Sequence, residues 1–175
     1  KLTYYQKAKD KLTQIGHELG FDQFALSEDK DVRLTLQKNG EPLTLTETPE
    51  VFRMENSSVC YEFGKKQGSF LKLEKNGKAC ITAPVEWNVY RAPTDNDRNI
   101  VLSWKEAGYD RSVVKVYGCE ARVKQGTVAI TCDFSMAAVY IQPFLRLHAV
   151  WSINGEGEIK VAVDGKRDTS FPGSA

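Results

Sequence analysis

Short segments in which apolar and polar residues alternate recur along most of this chain, and they constrain its fold more than any other feature. A clear example is Val32-Arg33-Leu34-Thr35-Leu36. Alternation with a period of two is typical of a β-strand with one buried face. Turn-forming residues separate the segments at intervals of about 8–12 residues, and Asn76-Gly77 is the strongest hairpin signal among them. The pattern predicts an all-β chain that folds as an antiparallel β-sandwich.

We expect ten or more strands. They cover Leu2–Tyr5, Ile15–Leu26, Val32–Leu36, Val51–Glu55, Ser58–Phe63, Phe70–Glu74, Ala79–Ile81, Val113–Tyr117, Glu120–Lys124, Thr127–Phe134, Val139–Ile153 and Glu158–Asp164. In the second of these, Leu19, Phe21 and Phe24 are candidate core residues. Apolar residues at helical spacing in Ile100–Ala107 predict at most one short helix, which ends at Gly108.

Two segments are candidate linkers. The 175 residues correspond to one domain, or to one domain and part of another. Ser27–Asp31 is a run of charged residues, and Thr44–Glu50 is rich in Thr and Glu and contains Pro49. We therefore expect the chain to be divided at these segments.

Charge and hydropathy exclude several classes of protein. The chain has 24 Lys and Arg residues against 23 Asp and Glu, so its net charge is +1. This balance argues against a protein that binds nucleic acid or an anionic membrane through electrostatics. No apolar run approaches the roughly 18 residues of a membrane span. The 8 Phe, 7 Tyr and 3 Trp residues exclude a disordered chain.

The four cysteines, Cys60, Cys80, Cys119 and Cys132, are widely spaced and form no C-x-x-C motif. Zinc-site spacing is therefore absent. Two disulfides would be possible in a secreted chain. Each cysteine lies in an apolar or alternating segment, where Cys behaves as a small hydrophobic residue. We therefore expect four free thiols, which is compatible with a reducing compartment.

A polar loop follows the seventh predicted strand, with the sequence Arg91-Ala92-Pro93-Thr94-Asp95-Asn96-Asp97. The two carboxylates and Asn96 could share a hard cation, which prefers oxygen ligands. However, Arg98 stands where a calcium loop needs further oxygens. The favoured interpretation is a turn in which Asp and Asn side chains cap backbone N–H groups. In it, Asp95 or Asp97 pairs with Arg91, Arg98 or Arg111.

Four aromatic residues bracket this loop: Trp87, Tyr90, Trp104 and Tyr109. Their rings could form a platform for a sugar, since aromatic faces stack on the apolar side of sugar rings. The alternative is packing in the core, which we favour for Trp87 and Trp104.

The two histidines do not indicate a catalytic site. His148 lies in an alternating strand, on the same face as Arg146, so we expect it on a polar surface. His17 has only Glu18 beside it and no further partner in view. The motifs of serine hydrolases, P-loop proteins, zinc proteases and dinucleotide-binding proteins are absent.

The polar loop also carries a resemblance to a known family. The run Arg91–Asp97, followed by Trp104-Lys105-Glu106-Ala107-Gly108-Tyr109, resembles a signature of the large bacterial β-galactosidases of glycoside hydrolase family 2. It is similar to the start of their last domain, the small-chain domain. Gly16–Phe24 resembles the final strand of the preceding immunoglobulin-like domain, and Ser152–Ile159 resembles a later turn of the last domain.

This resemblance implies an architecture. Residues 1–28 would be the C-terminal hairpin of an immunoglobulin-like domain, and residues 29–45 a connecting strand and linker. Residues 46–175 would be the N-terminal half of the small-chain domain, which forms part of a mutarotase-like supersandwich.

The resemblance also implies an activity, namely hydrolysis of terminal β-D-galactosides such as lactose with retention of configuration. In the family, a TIM barrel upstream supplies two catalytic glutamates and most of the magnesium and sodium ligands. This chain is therefore expected to contain no catalytic residue, metal or cofactor, and to be inactive alone. The implied partners are a galactoside, the TIM barrel of the same protein and other subunits in a homo-oligomer, and the implied compartment is the cytoplasm. A stand-alone carbohydrate-binding module and a module for oligomer assembly are the alternatives.

The residues expected at the edge of the substrate pocket are those of the polar loop: Arg91, Asp95, Asn96, Asp97, Arg98 and Asn99. In the family, the following loop lies near the mouth of the active site and can move. Here it corresponds to Arg98–Ser103 and is shorter than in the best-known members, which argues against a mobile lid.

Overall fold

The computed structural model describes residues 1–25, 36 and 39–167. The chain forms two compact units, Lys1–Leu34 and Thr35–Ala175. Ser27–Asp31 and most of Val32–Leu36 lie outside the described residues; Leu36 is described and is not in a strand.

The first unit is an antiparallel hairpin of β1 (Leu2–Tyr5) and β2 (Glu18–Asp22). The prediction that Leu19, Phe21 and Phe24 are core residues is wrong, since each of these side chains is more than half exposed. The physical reason is that two strands form a single layer, and a hairpin alone has no second layer to cover its apolar face.

The second unit contains nine strands and one α-helix among the residues described. They are β3 (Thr44–Glu47), β4 (Val51–Glu55), β5 (Val59–Gly64), β6 (Ser69–Lys75), β7 (Lys78–Ala79), α1 (Val101–Glu106), β8 (Val113–Lys124), β9 (Thr127–Ala137), β10 (Leu145–Ile153) and β11 (Ile159–Arg167). One-turn 3₁₀ helices occur at Asp95–Asp97 and Tyr109–Arg111.

These strands form two antiparallel sheets. One is a five-stranded meander in the order β3-β4-β5-β6-β7, and the other has four strands in the order β11-β10-β9-β8. Alternate residues of both sheets enter one shared core, and aromatic contacts join the sheets, such as Phe63 to Trp151 at 5.8 Å between ring centroids. The predicted β-sandwich with one short helix is therefore confirmed.

The tight turns follow the chemistry of their residues. Asn76 and Gly77 both have positive φ, 52° and 71°, as a two-residue hairpin turn requires. Gly108 ends α1 with φ 76°, and a side chain there would collide with Ala138. Both features were predicted from the sequence and are confirmed.

Two turns at one end of the sandwich are joined by hydrogen bonds from the half-buried side chain of Asn56. The Nδ2 group of Asn56 donates to the carbonyl oxygens of Glu41 and Gly155, each at 2.8 Å. Its Oδ1 accepts the backbone N–H of Val59 at 2.8 Å. Tyr61 adds a bond from its hydroxyl to the carbonyl of Gly157 at 2.9 Å. The turn after β10 is therefore fixed against the turn that precedes β5.

The expected linker at Thr44–Glu50 is wrong, because Thr44–Glu47 forms β3 at the edge of the five-stranded sheet. Threonine favours strands, and Pro49 lies in the turn between β3 and β4, outside both strands. The Thr48 hydroxyl accepts the N–H of Val51 at 3.1 Å and so closes this turn.

The expected strand Val139–Ile153 is too long. β10 begins only at Leu145, because Ala138–Ile141 makes a turn with a 3.1 Å bond between its ends. Tyr140 has φ 66° in this turn, and Pro143, which has no N–H, lies just before β10. In contrast, the two strands expected over residues 113–124 are one strand with a bulge between Val116 and Gly118.

The expectation of four free thiols is wrong. Cys119 and Cys132 form a disulfide between β8 and β9, and Cys60 and Cys80 are free. The two bonded residues face each other in the strand register. They do so because they are equally far from the two-residue turn at Gln125 and Gly126, both of which have positive φ.

β11 forms one edge of the four-stranded sheet, and its inner face extends beyond the core. Val161 and Val163 pair with Trp151 and Ala149, which are buried on the inner face. Paired residues share a face, yet the two valines are 45% and 42% exposed. The described part of the five-stranded sheet therefore leaves the inner face of β11 partly uncovered.

Candidate functional site

The polar loop between β7 and α1 is organised around the carboxylate of Asp97. Arg91 donates to it with both Nη atoms, at 2.6 and 2.9 Å. Thr94 donates its backbone N–H at 2.7 Å and its hydroxyl at 2.9 Å to one carboxylate oxygen. The side chain of Asp97 thus closes the 3₁₀ turn and fixes the position of the Arg91 guanidinium, as a bidentate pair does.

These contacts stabilise the charged form of Asp97. The hydrogen bonds from Arg91 and then from the Thr94 backbone lower the pKa of Asp97 from 3.8 to about 2, against a smaller opposing effect of desolvation. The pKa of Arg91 is raised by the same pair. Asp97 is only 8% exposed, whereas Arg91 is exposed. The loop is therefore preorganised and carries no net charge at this pair.

Among the six residues expected at the pocket edge, the structure brings together Arg91 and Asp97. The remaining four, Asp95, Asn96, Arg98 and Asn99, are exposed on the loop. The predicted pairing of a loop carboxylate with an arginine is confirmed.

The carboxylates of this loop are not arranged around a common point, since Asp97 is directed to Arg91 and Thr94. Arg111 pairs instead with Asp110, at 3.1 Å. Within the described ranges, no three His, Cys, Asp or Glu side chains lie close enough to hold a metal ion.

A cleft of about 470 Å³ lies beside the loop. Its lining consists of Asn88, Val89, Tyr90, Arg91, Trp104 and Tyr109. The guanidinium of Arg91 lies 5.5 Å from the centre of the Trp104 ring, and the Tyr90 ring meets that indole edge-on at 6.2 Å. We refer to these six residues as the aromatic cleft.

The four aromatic residues predicted around the loop divide into two groups. Trp87 packs against Phe134 at 4.6 Å and against Trp151 at 5.7 Å, so its expected place in the core is confirmed. The same expectation for Trp104 is wrong, because its ring is half-buried and lines the cleft. No residue of α1 is buried or belongs to the core cluster, and Trp104 contacts Arg91 and Tyr90 beside the loop instead.

Asn88 is a cleft residue that sequence reasoning missed. Its Oδ1 accepts the backbone N–H of Tyr90 at 2.8 Å, which holds the chain in a turn at the cleft wall. The sequence does indicate its local role, because Asn side chains commonly bond the backbone N–H two residues further on, and Tyr90 stands at that position. Tyr109 is placed by packing on Phe144, with 4.6 Å between ring centres.

Neither histidine is among the residues that line this cleft. His148 is exposed on the outer face of β10 and its Nδ1 lies 2.7 Å from an oxygen of Asp133 on β9. The predicted polar environment of His148 is confirmed. His17 is exposed in the first unit.

The fold and this loop define an all-β sandwich protein with an ion-paired turn beside an aromatic cleft. Residues 55–173 match the family model described as the β-galactosidase small chain. Because this match covers more than half of the chain, the chain belongs to the β-galactosidase small-chain family.

Curated relatives carry a consistent name. A β-galactosidase of Actinobacillus pleuropneumoniae is 32% identical over 98% of this chain, and one of Staphylococcus xylosus is 26% identical over 98%. A β-galactosidase of Enterobacter cloacae is 26% identical over 79% of the chain. The chain spans 17% of the length of the first two relatives. No helix in the described residues has the length and apolar character to cross a bilayer.

Proposed function

We propose that this chain is an accessory β-sandwich region of a retaining β-galactosidase of glycoside hydrolase family 2. The parent protein hydrolyses terminal β-D-galactosides such as lactose. The main support is membership of the small-chain family together with relatives that are named β-galactosidase and are about six times longer. In this proposal, residues 1–28 complete an immunoglobulin-like domain and residues 46–175 begin the small-chain domain.

In this proposal, the chain shapes the substrate pocket and leaves the chemistry to another domain. A retaining glycosidase needs one carboxylic acid that donates a proton and a second carboxylate that attacks the sugar, about 5–5.5 Å apart. Asp97 is unsuited to the first role, because a pKa of about 2 keeps it ionised at neutral pH. The paired glutamates, magnesium and sodium then belong to the TIM barrel of the parent protein.

The role of the polar loop follows from its rigidity. Arg91 and Asp97 hold each other through two hydrogen bonds, so the loop needs no ordering when substrate arrives. The proposal places Arg91, Asp95, Asn96, Asp97, Arg98 and Asn99 at the edge of the galactoside pocket, where they contact substrate or its surroundings without touching the reacting bond.

The proposal includes a cytoplasmic homo-oligomeric parent. The Cys119–Cys132 disulfide argues against a cytoplasmic location, because disulfides are rare in reducing compartments. Alkylation of thiols in freshly lysed cells, before air oxidation, measures whether this bond exists in the cell.

The function is tested with the chain and with its parent protein. The purified chain should not hydrolyse a chromogenic β-galactoside, because it lacks the paired glutamates. In the parent, Asp97→Ala should raise KM or lower thermal stability more than it lowers kcat. Asp95→Ala, which changes an exposed neighbouring carboxylate, is the matched control. Turnover by the purified chain, or a loss of several decades of kcat in a folded Asp97→Ala parent, would overturn the proposal.

A further inference from the structure

We propose that the aromatic cleft is a binding site for a neutral pyranose ring. Its volume of about 470 Å³ lies within the range of small-molecule sites, about 300–1,000 Å³. Tyr90 and Trp104 supply ring surface, and Asn88 and Tyr109 supply polar groups on the same wall.

The charges around the cleft favour a neutral ligand. Arg91 is the cation in its lining, and both Nη atoms of Arg91 bond to Asp97. The pair therefore offers little net charge to an anion. An aromatic face has negative quadrupole charge, which attracts the weakly positive C–H groups on the less polar face of a pyranose.

Four polar groups of the cleft are available to bond a ligand. These groups are the Nδ2 of Asn88, the hydroxyls of Tyr90 and Tyr109, and the Nε1 of Trp104. Within the described part of the chain, none of them forms a hydrogen bond to another protein group. These are donors, and the hydroxyls also accept. A polyhydroxylated ring satisfies such groups, whereas a purely apolar ligand would leave them unpaired at a cost.

A second cleft continues from the first and has room for a second ring. Its volume is about 350 Å³, and Asn88, Tyr90 and Tyr109 line both clefts. The second cleft adds the carboxylates of Glu86 and Asp110, which accept hydrogen bonds from hydroxyl groups. The two clefts together therefore fit a disaccharide better than a monosaccharide.

This inference rests on the proposed function for the choice of sugar, a β-galactoside, and the two can be separated experimentally. Binding is measured on the purified chain by calorimetry and by tryptophan fluorescence, with lactose, methyl β-galactoside and the open-chain polyol sorbitol. We expect saturable binding of lactose, several-fold weaker binding of methyl β-galactoside and none of sorbitol. Fluorescence should respond, because Trp104 lines the first cleft and Trp87 lines the second.

Variants locate the site. Trp104→Ala should weaken lactose binding about tenfold or more, whereas Trp104→Phe should keep most of the calorimetric binding and reduce the fluorescence change. Asn88→Ala, at an exposed position, should weaken binding several-fold and serves if Trp104→Ala does not fold. Leu102→Ala is the matched control, since Leu102 is 65% exposed on the same helix and is not in the cleft lining.

Absence of saturable lactose binding, or unchanged affinity in folded Trp104→Ala and Asn88→Ala variants, would overturn the cleft as a sugar site. Equal affinity for lactose and methyl β-galactoside would overturn the second ring position. None of these results changes the expected inactivity of the chain or the KM effect in the parent, on which the proposed function depends.

Discussion

At the scale of single residues, Asp97 connects stability to pH. Its pKa in the folded chain is about 2, below its ordinary value of 3.8, so the unfolded state binds the proton more tightly. The stabilisation is therefore complete above about pH 4 and is lost as pH falls through 2.

We expect Asp97→Asn to be less stable than the original chain at pH 7, and this difference to shrink as pH falls from 4 to 2. Urea unfolding at a series of pH values measures it. Asp95→Asn provides the control, because Asp95 is exposed on the same turn. A difference between Asp97→Asn and the original chain that is constant from pH 7 to pH 2 would contradict the role of the ion pair.

Thiol chemistry tests the other residue-scale feature, the Cys119–Cys132 bond. Unfolding without a reductant should expose two reactive thiols, those of Cys60 and Cys80, and a reductant should raise the count to four. Breaking the cross-link should lower the free energy of unfolding by about 2–4 kcal/mol. Four thiols without reductant would contradict the disulfide.

At the scale of elements, the turn after β10 packs so closely against the segment before β3 that an added methyl group should destabilise the fold. A Cβ on Gly155 would collide with the backbone of Gly40 and Glu41. Gly155→Ala should therefore lower the free energy of unfolding by about 1–3 kcal/mol, as overpacking does. Gly118→Ala is the control, since a Cβ there meets nothing within 4 Å. Equal thermal midpoints for the two variants would contradict the close packing of these turns.

The same elements indicate what a sequence can and cannot predict. Strand identity was readable where residues alternate, as in β4 and β5, because that signal is local. To predict the pairing of Cys119 with Cys132, one needs the register of the β8–β9 hairpin. To predict β3, one needs to know that a Thr-rich segment pairs with β4 at the edge of the sheet. Both depend on how two neighbouring strands pair, which the alternation within one segment does not reveal.

The candidate site divides in the same way. The ion pair between Arg91 and Asp97 was predictable, because the residues are six apart in one loop. The cleft was only partly so. Its lining includes Trp104, and the presence of an aromatic residue in a sequence does not show whether its ring lies in the core or at the surface.

At the scale of the whole molecule, the core belongs to the second unit. All the residues of the buried cluster lie between Leu43 and Ile153. A chain that begins at Thr35 should therefore keep its near-ultraviolet circular dichroism and cooperative unfolding.

Ile130→Ala in the same shortened chain calibrates this measurement, because Ile130 is fully buried and its truncation should cost about 2–5 kcal/mol. Loss of cooperative unfolding on removal of residues 1–34 alone would contradict an independent second unit.

The partly uncovered edge at β11 has a consequence for how molecules of this chain meet in solution. In the described residues β11 pairs with β10 alone, so its outer backbone groups can template a strand from another molecule. A net charge of +1 provides little long-range repulsion to keep two copies apart. Light scattering should therefore rise with concentration at pH 7. Val163→Lys, which places a charge on the exposed inner face of β11, should lower this rise more than Leu102→Lys, which adds the same charge at an exposed position on α1, outside the sheets.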